Sequence, residues 1–206
     1  MILFTFFFAA VLLAITPGPG LAYVVARTVS GGRGEGLASC FGTGIGGMVH
    51  VLAAALGLSL VIAQSALAFS LVKYIGAAYL IYLGIRILIR RDVEDQPGAG
   101  VKPRGSQRAL MEGVVVEVLN VKTALFFLAF LPQFVSPAAP LIPQLVMLGS
   151  ICVALNTLVD VCAVLAAHRL LRSGAARAAR ARMLKRISGA TMIGLGTFLA
   201  FARQRT

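Results

Sequence analysis

The chain has 206 residues, of which 59% are hydrophobic, and a formal net charge of +12. Its mean hydropathy of +0.91 is too high for a soluble domain of this length, because small domains leave much of their surface in water. The basic residues lie in the gaps between apolar runs, which favours a membrane protein over a nucleic-acid-binding protein.

Six apolar runs are long enough to cross a hydrocarbon core of about 30 Å as helices. They cover residues 2–26, 37–64, 68–89, 109–134, 141–168 and 184–202, and a Gly-rich turn at residues 30–36 separates the first two. A membrane barrel would show short alternating segments instead. We therefore predict an all-α membrane protein with six transmembrane helices, forming a single domain over residues 1–206.

A long polar loop at about residues 90–108 divides the chain into two three-helix halves, about 1–90 and 109–206. Halves with an odd number of helices enter the membrane from opposite sides, as inverted repeats do. The first, third and fifth connectors, the first of which contains Arg27, carry 15 Lys and Arg residues against three on the opposite side. The positive-inside rule then places the 90–108 loop in the cytoplasm and both termini outside.

The first run is interrupted near its middle by Thr16, Pro17, Gly18 and Pro19. Two prolines remove backbone donors and clash with the preceding turn, so the helix must kink or unwind. The freed carbonyl groups need polar partners, and an interrupted helix is the best sequence indication of a transporter site. We interpret this break as half of a substrate site; the alternative is a purely structural kink.

The second run places Gly42, Gly46 and His50 at intervals of four residues, on one helix face. Small residues at this spacing allow helices to pack closely, either within one chain or between copies in a homo-oligomer. His50 lies at mid-depth, where a histidine could relay protons or bind a substrate. The alternative is a hydrogen bond to a neighbouring carbonyl group.

The fourth run carries Glu117, Asn120 and Lys122 at a depth where a charged residue costs about 2.5–3.5 kcal/mol on insertion scales. Glu117 and Lys122 are five positions apart, which is about 140° around a straight helix. Either the helix unwinds between them, or each side chain finds its own partner. We interpret these residues as the second half of the site; the alternative is a structural pair.

The fifth run carries Asn156 and Asp160, which are one helical turn apart. An acid inside the membrane is a candidate for substrate binding or proton exchange. Lys122 is the expected cationic neighbour of Asp160, and a structural salt bridge between them is the alternative. In this interpretation Lys122 attracts a substrate carboxylate, while Asp160 or Glu117 meets an ammonium group or exchanges a proton.

Sequence motifs of metalloproteases, serine hydrolases, P-loop proteins and zinc sites do not occur in the chain. We expect no enzyme activity, no cofactor and no bound metal. Transport without an ATPase of its own is the role that remains.

Four motifs, taken in their order and spacing, resemble the LysE/RhtB family of amino-acid exporters. They are Thr16-Pro17-Gly18-Pro19, Gly76-Ala77-Ala78-Tyr79-Leu80-Ile81-Tyr82-Leu83-Gly84, Leu119-Asn120-Val121-Lys122-Thr123-Ala124 and Phe130-Leu131-Pro132-Gln133-Phe134. The resemblance implies a six-helix exporter of the bacterial inner membrane, driven by the proton motive force. It matches Asn120 and Lys122 to the family's Asn-Pro-Lys motif, and His50 and Asp160 to positions where similar proteins carry the same residues.

The chain departs from this pattern at Val121, where the family has proline. Valine keeps its N–H group, so the sequence alone does not require a break in the fourth helix. The expected function is export of amino acids or close derivatives by proton antiport, with the substrate, protons and membrane lipids as partners and without nucleic acid. The alternatives are a metal-ion or cation exporter of related architecture, a passive channel and a non-transporting membrane subunit.

Overall fold

The computed structural model describes residues 2–58, 66–89 and 103–170, together with positions 186, 190, 193–198, 200 and 201. These residues are helical or lie in turns, and no strand occurs among them, so the all-α prediction is confirmed for this part of the chain. The helices are α1 (Ile2–Ile15), α2 (Pro19–Ala53), α3 (Ala66–Ile89), α4 (Ser106–Val118), α5 (Val121–Leu125) and α6 (Leu141–Leu170). A π-helical turn, Ala54–Leu58, extends α2, and the segments Phe126–Phe130 and Leu131–Phe134 extend α5.

Two helical segments, Pro19–Gly57 and Leu141–Ala167, each contain a stretch long and apolar enough to cross a membrane. A third candidate is the pair Ser106–Val118 and Val121–Phe134, which is bent by 46°. The 90–102 part of the predicted loop and most of the predicted sixth span, 184–202, lie outside the described residues. The arrangement of six spans in two inverted repeats therefore stays a prediction.

The segment Pro19–Ala53 turns at Gly32, whose φ of 78° and ψ of −172° belong to a region that is essentially restricted to glycine. Both limbs of α2 pack on α4, and their contacts run in opposite order along it. In the limb before the turn, Tyr23 contacts the start of α4 and Gly20 contacts its end. In the limb after the turn, Gly42 contacts the start of α4 and Gly46 contacts its end. The limbs therefore run antiparallel, and the turn falls within the predicted segment 30–36.

Phenylalanine side chains from α1 and from the segment after α5 form much of the buried core. The ring centroids of Phe6 and Phe134 are 5.5 Å apart, and those of Phe126 and Phe130 are 4.8 Å apart. We call these four residues the aromatic cluster. It lies on one side of the interruption between α1 and α2, whereas Arg27 lies on the other.

Many large apolar side chains point outward, away from the core. Phe4, Phe41 and Leu158 are each more than half exposed. A soluble protein rarely exposes so many large apolar groups, whereas lipid covers them at no cost in a membrane protein.

Candidate functional site

The predicted first break is present between α1 and α2. α1 ends at Ile15, and α2 begins with Gly18 in an extended N-cap conformation and Pro19 at its first positions. Proline is favoured there because the first N–H groups of a helix have no intrahelical acceptor. Thr16 is buried, and its hydroxyl donates to the carbonyl oxygen of Leu12 at 2.5 Å. The interruption therefore consists of Thr16, Pro17 and Gly18.

The second break lies between α4 and α5, where Leu119 and Asn120 leave the helical conformation. Asn120 Oδ1 accepts the backbone N–H of Lys122 at 3.2 Å, which makes Asn120 the N-cap of α5. Val121 is then the first residue of the helix, a position that accepts proline readily, and Asn120 has the extended conformation that precedes proline. An asparagine cap therefore forms the break without the family's proline.

Lys122 is buried, and its ammonium group faces the end of α1. Nζ donates to the carbonyl oxygen of Thr16 at 2.8 Å and to that of Leu13 at 3.3 Å. The last carbonyl groups of a helix lack intrahelical donors and carry the negative end of the helix dipole. Lys122 thus satisfies the groups that the first break leaves free, and joins α5 to α1.

Glu117, which is 2% exposed, binds two polar side chains at the second break. Its Oε1 accepts the hydroxyl of Thr123 at 2.6 Å, and its Oε2 accepts the amide of Asn120 at 3.1 Å. A Cβ atom at Gly20 would lie 2.5 Å from Oε2, so a larger residue in the first turn of α2 would displace this carboxylate. The positive end of α2 therefore lies close to Glu117.

The side chain of His50 contacts the backbone of the same turn of α4. Its Nε2 lies 2.8 Å from the carbonyl oxygen of Glu117, which can only accept, so Nε2 carries the hydrogen. The imidazole also stacks on Phe127, with ring centroids 6.3 Å apart. The observed contact is the carbonyl hydrogen bond that the sequence left open as the structural alternative.

The glycine face next to His50 packs within the chain. A Cβ at Gly46 would lie 2.7 Å from the Cβ of Glu117, and one at Gly42 would overlap the carbonyl group of Leu110. These glycines let α2 and α4 approach each other closely, as small residues do between membrane helices.

Asp160, on α6, is 5% exposed and accepts the hydroxyl of Thr43 through Oδ2 at 3.0 Å. It borders a cavity of about 10 Å³, which is about the room that one water molecule requires. The polar residues that line this cavity are Thr43, Glu117, Thr123, Asn156, Thr157 and Asp160. The structure therefore places Asp160, Asn156 and Glu117 around the same cavity.

The salt bridge between Lys122 and Asp160, which the sequence left open as the structural alternative, does not form among the described residues. Within the described residues, neither Glu117 nor Asp160 forms an ion pair with Lys122, because its ammonium group is held by backbone carbonyl groups instead. The described residues also contain no group of three His, Cys, Asp or Glu side chains that could hold a metal ion.

Comparison with known proteins assigns the chain to a family. Residues 11–203 match the family described as LysE type translocator. The chain belongs to the LysE-type translocator family. This confirms the resemblance inferred from its motifs.

Relatives of this translocator align over most of its length. It is 33% identical over 195 residues to an uncharacterized membrane protein of Vibrio cholerae, covering 94% of each chain. It is 30% identical over 157 residues to the homoserine/homoserine lactone efflux protein of Salmonella typhimurium, covering 76% of this chain and 75% of the relative. No solved structure matches it.

Two hydroxyl groups that line the cavity, those of Thr43 and Thr123, were not predicted from the sequence. They donate to Asp160 and Glu117 respectively. A signal for Thr43 was present, because it lies seven residues before His50 and so shares its helix face. Thr123 follows Lys122 directly, inside one of the family motifs.

A second group of charges lies beside α4 and α2 in this translocator. We call it the Arg27 cluster; it contains Arg27, Glu35, Arg104, Arg108 and Glu112. Arg27 is 3% exposed, bonds to Glu112 and lies 3.8 Å from Glu35. Glu35 Oε1 accepts the backbone N–H groups of Arg104 at 2.8 Å and Gly105 at 2.7 Å. Assigning Arg27 to a connector was therefore wrong, because it is a buried helical residue.

Proposed function

We propose that this translocator exports amino acids or close derivatives across the bacterial inner membrane in exchange for protons. One observation carries the proposal: Glu117 and Asp160, two buried carboxyl groups, line a small cavity, and a third buried ionisable group, Lys122, joins the two broken helices beside it. Charges at this depth are costly and are kept where they bind substrates or ions. The substrate class is supported by the relative in Salmonella typhimurium that is named a homoserine/homoserine lactone efflux protein.

Asp160 is the proposed coupling acid. It lines the cavity, and its Oδ2 accepts a hydrogen bond from the neutral hydroxyl of Thr43. A carboxylate in such a space can bind a proton or the ammonium group of an amino acid, but the two cations compete for it. Competition of this kind makes release of one cation the condition for binding the other, which is the requirement of an antiporter.

The cavity must open during the proposed cycle. At about 10 Å³ it is too small for an amino acid, so the described conformation is closed around the site. Access would alternate between the side of the Arg27 cluster and that of the aromatic cluster, as the two halves of the protein rock against each other. The positive-inside rule makes the Arg27 side cytoplasmic and leaves both termini outside.

The substitution Asp160→Asn tests the coupling role. Since it keeps the shape of the side chain and an acceptor for Thr43, we expect a protein that folds and inserts but loses export. The measurement is efflux of each amino acid from cells that contain the variant, corrected for the amount of folded protein.

Glu112→Gln provides the matched control, because it also neutralises one carboxylate but lies outside the cavity. We expect it to retain most of the export. Efflux that is unchanged by Asp160→Asn would contradict the coupling role. Efflux that continues at its normal initial rate after the proton gradient is collapsed would favour a passive channel over the proposed antiporter.

A further inference from the structure

The charges around the cavity are unevenly distributed. Two carboxyl groups, those of Glu117 and Asp160, line it. Among the described residues no lysine or arginine lines it, because Lys122 directs its ammonium group to the carbonyl oxygens of Leu13 and Thr16. A Cβ at Gly18 would lie 3.0 Å from Nζ, so the backbone of the first break also packs against this ammonium group. The cavity itself therefore presents negative and neutral groups.

Asp160 retains capacity to accept hydrogen bonds. Its Oδ2 receives the hydroxyl of Thr43, and that hydroxyl has a second acceptor, the carbonyl oxygen of Cys40, at 3.0 Å. Its Oδ1 makes no hydrogen bond within the described part of the chain. An ionised carboxylate has about four lone-pair sites, so Asp160 can accept a further donor from the cavity.

Asn156 completes the set of polar groups, one turn before Asp160 on α6. Its amide offers two N–H donors and one carbonyl acceptor. A neutral donor of this kind can bind a carbonyl oxygen whether that oxygen belongs to a carboxylate, an amide or an ester.

We infer that this site selects its substrate by a primary ammonium group and a neighbouring carbonyl oxygen, and that a free carboxylate is not required. The ammonium group binds Asp160 beside Glu117, and the carbonyl oxygen accepts from Asn156. The substrate class is then α-amino acids together with their carboxyl-blocked derivatives. Lys122 is a positioning residue, which holds the end of α1 against α5, and does not anchor the substrate carboxylate. The inference rests on the proposed export function.

Counterflow in proteoliposomes that contain the purified full-length protein tests this selectivity. The probes are L-homoserine, L-threonine and L-leucine, each offered as the free acid, the carboxamide and the N-acetyl derivative. We expect the amide to compete with its parent acid within about threefold, because the ammonium group is intact. The N-acetyl derivative should compete about tenfold less well or worse, because a site built for a donor rejects an analogue that lacks it.

The possible outcomes distinguish failure of this selectivity from failure of the proposed export function. Exchange of a free amino acid that its amide cannot inhibit, or that its N-acetyl derivative inhibits equally well, overturns the inference and leaves the export function standing. Exchange of none of the amino acids overturns the export function, and the inference with it.

The variant Lys122→Met tests the positioning role through the ratio of acid counterflow to amide counterflow. A positioning residue affects acid and amide alike, so counterflow of both should fall by the same factor. A loss about tenfold greater for the acid than for the amide would identify Lys122 as the carboxylate anchor and overturn its assignment. If this variant does not fold, the competition between acid and amide in the unsubstituted protein decides the inference by itself.

Discussion

Arg27 and Glu117 are both almost fully buried and both pack between α2 and α4, yet their charges are satisfied in different ways. Arg27 bonds to Glu112, which also accepts from Arg104 and Arg108, so ion pairs compensate the charge of Arg27 inside this cluster. Glu117 is held by an amide and a hydroxyl group, neither of which carries a charge.

The same contrast applies to the other charges at the helix breaks. Lys122 binds backbone carbonyl groups and Asp160 accepts a hydroxyl, and no ion pair joins them within the described residues. Neutral partners fix the position of a charge without cancelling it. The carboxyl groups of Glu117 and Asp160 thus remain available to a ligand, whereas the charges of the Arg27 cluster stabilise the packing of α2 on α4.

The largest effect on stability is expected from Arg27→Met. It leaves Glu35 and Glu112 without their shared cation, and removing one partner of a buried charge pair is strongly destabilising. Because Glu112 is partly exposed, we expect a loss of about 2–4 kcal/mol in the free energy of unfolding. Thermal unfolding of the purified protein in detergent measures it.

Two further variants control this prediction. Adding Glu35→Gln to Arg27→Met should recover part of the lost stability, since Glu35 is the buried carboxylate that loses its cation, whereas Glu112 keeps Arg104 and Arg108. Arg108 contacts the same carboxylate but its side chain is 65% exposed, so Arg108→Met should cost only about 0–1 kcal/mol. Equal losses for Arg27→Met and Arg108→Met would show that burial of the cluster is unimportant.

An intermediate effect on stability is expected from Glu117→Gln. The glutamine keeps the size of the side chain and one acceptor oxygen, so the loss should be about 1 kcal/mol, close to that of a single hydrogen bond. Transport should nevertheless fall severely, because the charge beside the cavity is gone. The result that would contradict the contrast between Glu117 and the Arg27 cluster is a Glu117→Gln protein whose melting temperature falls as far as that of Arg27→Met while its transport per folded molecule stays normal.

The smallest effect is expected from Val121→Pro. Position 121 is the first of α5, where proline costs no hydrogen bond, so the change in unfolding free energy should be within about 0.5 kcal/mol. Ala124→Pro is the matched control. The N–H of Ala124 donates to the carbonyl oxygen of Asn120 at 3.0 Å, and losing that bond inside a helix costs about 3 kcal/mol. Similar melting temperatures for the two variants would disprove the assignment of Asn120 as the cap.

Residue types with strong backbone preferences made the breaks predictable. Pro17 and Pro19 fix the first interruption, and the polar residues around Asn120 indicate the second. The cap itself was not predicted, because Val121 stands where the family has its helix-breaking proline. Asn120 is a common N-cap type, and that preference alone suffices for a break.

Partners that are distant in the chain were not predictable from it. The acceptors of Lys122 are backbone carbonyl groups, and these carry no mark in the amino-acid sequence. Arg27 was counted with the connector charges because its partner Glu112 is 85 residues away. Counting basic residues treats each as surface-exposed, whereas a buried arginine with a distant acid is invisible to such a count.

The turn at Gly32 has a consequence that concerns handedness. Its φ of 78° and ψ of −172° are the mirror image of an extended conformation that ordinary L-residues adopt freely. A D-amino acid at this position would therefore have its preferred backbone geometry. Natural proteins cannot use the D-residue that fits best, and glycine, which has no handedness, is the substitute that the twenty amino acids allow.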